Sequence, residues 1–327
     1  MPELTCLEIC AGAGGQSLGL ELAGFTHRAA VEIDPDACET LRVNRPGWDV
    51  LELDVHKLDG RDFAGITLLA GGVPCPPFSI AGRQLGPDDE RDLFPQALRL
   101  AEEAAPDAVM LENVRGLSTS KFASYRARVI ARLEALGYEC DWQLLNASEF
   151  GVPQLRPRFI LVALRPAAFG YFTWPDAVGT APTVGQTLRP LMAANGWPGA
   201  VAWAKKANGI GPTIVGGSRK HGGPDLGPTR ARAAWLQLGV DGRGLANEPP
   251  DRSAPENHIP RLTLSMVAKI QGFPHTWQFA GRKTAAYRQI GNAFPPPVAE
   301  AVATSIKAAL SAADAETSGS VSVRRAG

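Results

Sequence analysis

The stretch Gly71-Gly72-Val73-Pro74-Cys75-Pro76-Pro77-Phe78-Ser79 holds one thiol between prolines. Each proline fixes its own φ and restricts the residue before it, so Cys75 has little conformational freedom left to lose. A lone cysteine is most often a small buried hydrophobe, and it becomes a nucleophile where its surroundings favour the thiolate. Two further sets could serve such a thiol. Glu112 adjoins Asn113 after an apolar run, where a carboxylate is either solvated or partly buried and able to donate a proton. Arg156 and Arg158, two residues apart and just after Gln154, could bind phosphate, a carboxylate or a base carbonyl.

These groups need a frame that brings them together. The runs Thr5 to Ile9, Arg28 to Ile33, Asp49 to Leu53, Ile66 to Ala70, Ala108 to Leu111, Cys140 to Leu145 and Phe159 to Leu164 read as strands, most of them buried, separated by helical spacings such as Pro95 to Glu103 and Lys121 to Leu136. This alternation predicts an α/β fold with a parallel sheet, in which ligands bind at the carboxyl ends of the strands. The first strand leads into Cys10-Ala11-Gly12-Ala13-Gly14-Gly15 and a helix, a pattern that suits a nucleotide but also occurs as a bare tight turn. Glu32 and Asp54 end the next two strands, where an acid can accept hydrogen bonds from ribose hydroxyls or simply be exposed.

The chain is 327 residues long with 33 basic and 33 acidic residues, so any nucleic-acid contact must come from local clusters of charge. The five cysteines are scattered without metal-ligand spacing, which fits a reducing cytoplasm. No signal peptide or membrane-spanning run is present, and no membrane partner is expected. From Pro166 to about Pro260 the α/β periodicity fades, Gly and Pro become dense, and Trp174, Trp197, Trp203 and Trp235 appear. Here Lys205, Lys206, Arg219, Lys220, His221, Arg230 and Arg232 make a basic stretch, either a solvated surface or a groove reader. Helical spacing returns from Leu262 to Gln271 and from Val298 to Leu310, and the tail after Ser311 is expected to lack regular structure.

Taken in order, the glycine loop, Glu32, Asp54, Pro74-Cys75, Glu112-Asn113-Val114, Gln154 with Arg156 and Arg158, Arg261-Leu262-Thr263, Gln271-Gly272-Phe273-Pro274 and Gly291-Asn292 resemble the cytosine-5 DNA methyltransferases along nearly the whole chain. The resemblance implies a Rossmann-like S-adenosyl-L-methionine domain from residues 1–165 and 261–312, a small, loop-rich target-recognition domain over 166–260, and a tail over 313–327. It implies catalysis by Cys75, Glu112 and Arg158 with Arg156 in support. The implied cofactor wall is Ala11, Gly12, Gly14, Gly15, Glu32, Ile33, Asp54, Val55, Pro74, Leu93 and Asn292. Duplex DNA would meet Ser79, Arg83 and Gln84 in a loop over 81–92 that closes on it, and Arg219, Lys220, His221, Arg230 and Arg232 in the recognition module. Two departures stand out: Cys10 where many members carry Phe, and Ala293 where many carry Ser.

The resemblance further implies a monomer of a bacterial or phage modification system, with a separate cognate endonuclease as a possible partner. An RNA (tRNA) cytosine-5 methyltransferase and a non-catalytic DNA-binding regulator share the same scaffold. Retention of Cys75, Glu112 and Arg158 speaks against the regulator. A nicotinamide dehydrogenase would account for the glycine loop and Glu32, but gives no reason for the Pro74-Cys75 segment.

Overall fold

The computed structural model describes residues 3–74, 92–217 and 223–324, the last seven of these as backbone alone. In chain order the elements are β1 (Thr5–Ile9), α1 (Gly15–Ala23), β2 (Thr26–Glu32), α2 (Pro35–Asn44), β3 (Val50–Glu52), β4 (Leu68–Gly71), α3 (Phe94–Ala104), β5 (Ala108–Val114), α4 (Ala123–Ala135), β6 (Glu139–Asn146), β7 (Gln154–Leu155), β8 (Pro157–Leu164), α5 (Pro166–Phe169), α6 (Val184–Met192), α7 (Ala200–Lys206), β9 (Gly211–Pro212), α8 (Thr229–Gln237), α9 (Leu264–Ile270), α10 (Lys283–Asn292) and α11 (Pro296–Arg324).

Seven strands form one sheet in the order β3-β2-β1-β4-β5-β8-β6. All are parallel except β8, which runs antiparallel between β5 and β6. The inner strands β4 and β5 are apolar on both faces because helices cover both, as expected of a parallel sheet. Leu7, Ile9, Leu69 and Leu111 pack with Phe94 and Leu100 of α3 and Leu133 of α4. On the opposite face Cys6, Leu68, Met110 and Ile160 pack with Leu20 of α1 and Val302 and Ile306 of α11. The chain winds from β1 outward to β2 and β3, then returns to lay β4 on the other side of β1. That reversal opens a crevice at the carboxyl ends of β1 and β4.

Local sequence fixes the helix starts. Asp34 caps α2 by accepting from the Asp36 N–H, with Pro35 in the first helical turn. Thr183 and Gln186 form a reciprocal capping box on α6. Pro296 and Pro297 open α11 where no N–H is required.

Three expectations need correction. The helix α11 runs on to Arg324 rather than ending at Leu310, and Tyr171 Oη donates to Glu316 on it at 2.7 Å. Arg230 and Arg232 lie on the helix α8, anchored by the buried Trp235, inside the region expected to be loop-rich. The boundary at Pro260 does not divide the packing, since Trp197, Trp203 and Trp235 share one core with Met266, Phe273, Trp277, Tyr287 and Ile290. Trp174 stands outside that core, against Phe172 near the sheet.

Candidate active site and cofactor cavity

The crevice is a cavity of about 320 Å³, within the usual range for small-molecule sites. Its wall comes from the loop after β1, the tips of β2, β3 and β4, Glu112 on β5, and the end of α10 with the turn beyond it. The start of α1 comes close to the turn between α10 and α11: a Cβ on Gly15 would lie 2.2 Å from the Phe294 carbonyl oxygen. Cys10 takes a left-handed φ of 53°, a cost to a residue with a side chain, and lines the cavity. Burial pushes its thiol pKa up, with the nearby Glu32 adding to it, so Cys10 stays protonated.

Glu32 is anchored by main-chain donors. Its Oε2 accepts from Gly12 N at 2.8 Å, and its Oε1 accepts from Ile33 N and Asp34 N at 2.8 Å each. Burial raises its pKa, partly offset by those three amides. At the tip of β3, Asp54 accepts from the His56 main chain at 3.0 Å and pairs with its ring nitrogen at 2.8 Å, contacts that lower its pKa. An anchored acid, a tight glycine loop and apolar flanks from Val31, Ile33, Leu53 and Leu93 fit an adenosine with an amino-acid tail.

Across the cavity Glu112 meets Arg158, whose Nε lies 2.6 Å from Oε1 of the acid. The sheet register explains the meeting. Arg158 stands opposite Val114, so its side chain lies on the face of Glu112, one diagonal step along the ladder. Both side chains are nearly closed to solvent, at 9% and 11% exposure. Burial raises the Glu112 pKa, while the Arg158 and Arg156 charges pull it down. Next to it, Asn113 donates to the Val73 carbonyl at 2.9 Å and accepts from Val114 N, which ties the β5 tip to the strand end that carries Pro74.

Arg156 does something else. It is 1% exposed, and its guanidinium donates to the carbonyls of Ile214 and Gly291 at 2.7 Å and of Ala293 at 2.9 Å. Gln154 accepts from Ile214 N at 2.7 Å and donates to Gln271 at 2.6 Å, and Gln271 donates to Ala293 O at 2.7 Å. The result is a closed, buried ring that fastens the segment after β9 to the cavity wall.

A family model described as C-5 cytosine-specific DNA methylase matches residues 4–308. The chain belongs to that family. The Type II methyltransferase M.NaeI of Lentzea aerocolonigenes is 60% identical over 314 residues, covering 95% of this chain and 76% of that protein. The Type II methyltransferase M.NgoMIV of Neisseria gonorrhoeae is 53% identical, covering 94% of this chain and 98% of that protein. Among solved structures, the Entamoeba histolytica methyltransferase EhMeth shares the fold at a TM-score of 0.65 and 13% identity, over 94% of this chain and 98% of that one. This C-5 cytosine methylase is therefore an S-adenosylmethionine-dependent enzyme that methylates cytosine in DNA.

Of the wall expected from the methylase motifs, Ala11, Gly12, Gly15, Glu32, Ile33, Asp54, Val55, Pro74, Leu93 and Asn292 line the one cavity, together with Glu112. Gly14 does not; a Cβ there would run into Trp277 and Leu41, and Gly14 makes the left-handed turn that starts α1. Arg156 is turned away into the carbonyl ring, so it supports the methylase site without facing it. Arg230 and Arg232 sit on α8, and Arg232 pairs with Asp225 at 3.3 Å. Cys75, Ser79, Arg83, Gln84, Arg219, Lys220 and His221 lie outside the described residues. Sequence reading missed Gln16, Arg288, Gln289 and Phe294 on the wall. The first follows the glycine loop directly and the others flank Asn292, so only proximity to a motif could have flagged them.

Proposed function

We propose that this methylase modifies carbon-5 of a flipped-out cytosine within a specific duplex sequence, through a covalent adduct on Cys75, and that it protects DNA in a restriction-modification setting as a monomer. The observation that carries this reading is the buried Glu112–Arg158 pair, whose Glu112 lines the same cavity as Pro74, the residue before the thiol. A stacked cytosine ring is out of reach, so the base must leave the helix first. The Cys75 thiolate attacks ring carbon-6, forming a sulfur–carbon bond, while Glu112 gives a proton to ring nitrogen-3 and relieves the charge that would build there. Arg158 orients Glu112 and holds the base carbonyl. Bound S-adenosylmethionine supplies an electrophilic methyl group to carbon-5. A base then takes the carbon-5 proton, the sulfur–carbon bond breaks and the thiolate departs, and ring nitrogen-3 returns its proton to Glu112.

Glu32 is suited to the ribose hydroxyls, Asp54 to the adenine edge, and the main chain of Ala11 to Gly15 with Asn292 to the amino-acid end. Bisulfite sequencing of DNA from an expressing, otherwise unmethylated host should reveal one protected motif. Uniform conversion of every cytosine, or label entering tRNA in preference to duplex DNA, would overturn the assignment.

A further inference from the structure

Gln16, in the first turn of α1, is 3% exposed and lines the cofactor cavity. Among the described residues neither Nε2 nor Oε1 has a hydrogen-bond partner, and both are closed to water. Buried side-chain amides are nearly always paired, because an unpaired one loses its bonds to water and gains nothing in exchange. Ser17 beside it also buries an unpartnered hydroxyl, but it does not line the cavity. Gln16 is thus a buried donor and acceptor on the wall of a binding site, with its partner missing.

Its position says which end of the ligand it serves. The preceding residue, Gly15, packs on Ala293 and the Phe294 carbonyl. Asp54 and Val55 stand at the tip of β3 on the sheet edge, two strands from β1. A zwitterionic amino-acid group presents a carboxylate acceptor and an ammonium donor, which an amide can meet with Nε2 and Oε1 respectively. Three single bonds let the side chain turn toward the cavity without moving the helix.

We propose that Gln16 binds the amino-acid end of the cofactor, its amide becoming paired only when the ligand is present. This rests on the reading that the cavity takes S-adenosylmethionine with its amino-acid end beside Ala293 and Phe294. The test is titration calorimetry of the full chain with two ligands that share the adenosine and thioether: S-adenosylhomocysteine, and methylthioadenosine, which lacks the amino-acid end. Gln16→Met should weaken S-adenosylhomocysteine by about tenfold, as loss of one or two polar contacts does, and leave methylthioadenosine within about twofold. The ligand-free variant should melt higher, because an unpaired amide has been removed, and Ser17→Ala should change neither affinity. Should Gln16→Met not fold, Gln16→Leu gives the same comparison. Equal losses for both ligands, or no loss for S-adenosylhomocysteine, would overturn the proposal. Failure of the unaltered chain to bind either ligand would instead sink the cofactor placement on which it rests.

Discussion

Two opposed influences act on Glu112: burial lifts its pKa, and two guanidinium groups pull it back. The net rise means the acid keeps its proton to higher pH than an exposed glutamate would. Proton donation to the base is therefore available at low pH and is lost as pH rises through the raised pKa. Removing a positioned acid costs about 10²–10⁴ in rate. Glu112→Gln should lower kcat by that factor, and its kcat–pH curve should lack the alkaline fall attributed to this group; a fall of unchanged shape would assign it elsewhere. Cys75→Ser should reduce methyl transfer below detection while duplex binding, followed by gel shift, persists. Turnover surviving in Cys75→Ser would remove the covalent route.

The first residue of α1, Gly15, has no room for a side chain. At Gly15 an added methyl would press on the Phe294 carbonyl, which belongs to the cavity wall. Overpacking of this kind costs about 1–3 kcal/mol. Gly15→Ala should lose that much stability in urea denaturation and bind S-adenosylhomocysteine poorly, whereas an unchanged midpoint would show that the wall yields. The strands and the tips that carry Glu32, Asp54, Pro74 and Glu112 were legible in the sequence, because buried parallel strands are apolar runs that end in turn residues. The order of the strands was not, since periodicity says nothing of which neighbour a strand chooses. The antiparallel insertion of β8, which sets Arg158 beside Glu112, is a tertiary fact. Residue type also failed at Arg156, because a guanidinium serves main-chain carbonyls as readily as phosphate or base. The helix α8 escaped notice because it buries only Trp235 and so shows no apolar stripe at helical spacing.

Acidic and basic residues balance at 33 each, so DNA attraction has to come from patches and not from the overall field. Arg230 and Arg232 lie two residues apart on α8, and among the described residues only Arg232 is paired, with Asp225 at 3.3 Å. If both face DNA, Arg230 gives a whole charge to phosphate while Arg232 has part of its charge already answered. Arg230→Ala should reduce the log–log salt slope of duplex binding by about 1, and Arg232→Ala by less. Equal slopes in the unaltered chain and Arg230→Ala would take that residue out of the contact set. The buried ring through Gln154, Arg156, Gln271, Ala293 and Ile214 has a consequence for rebuilding this enzyme. A swapped recognition unit spliced at residues 166 and 260 would remove Ile214, whose carbonyl Arg156 holds and whose N–H Gln154 accepts from, so a working graft must keep the host's own segment from β9 through Ile214 and start its foreign sequence beyond it.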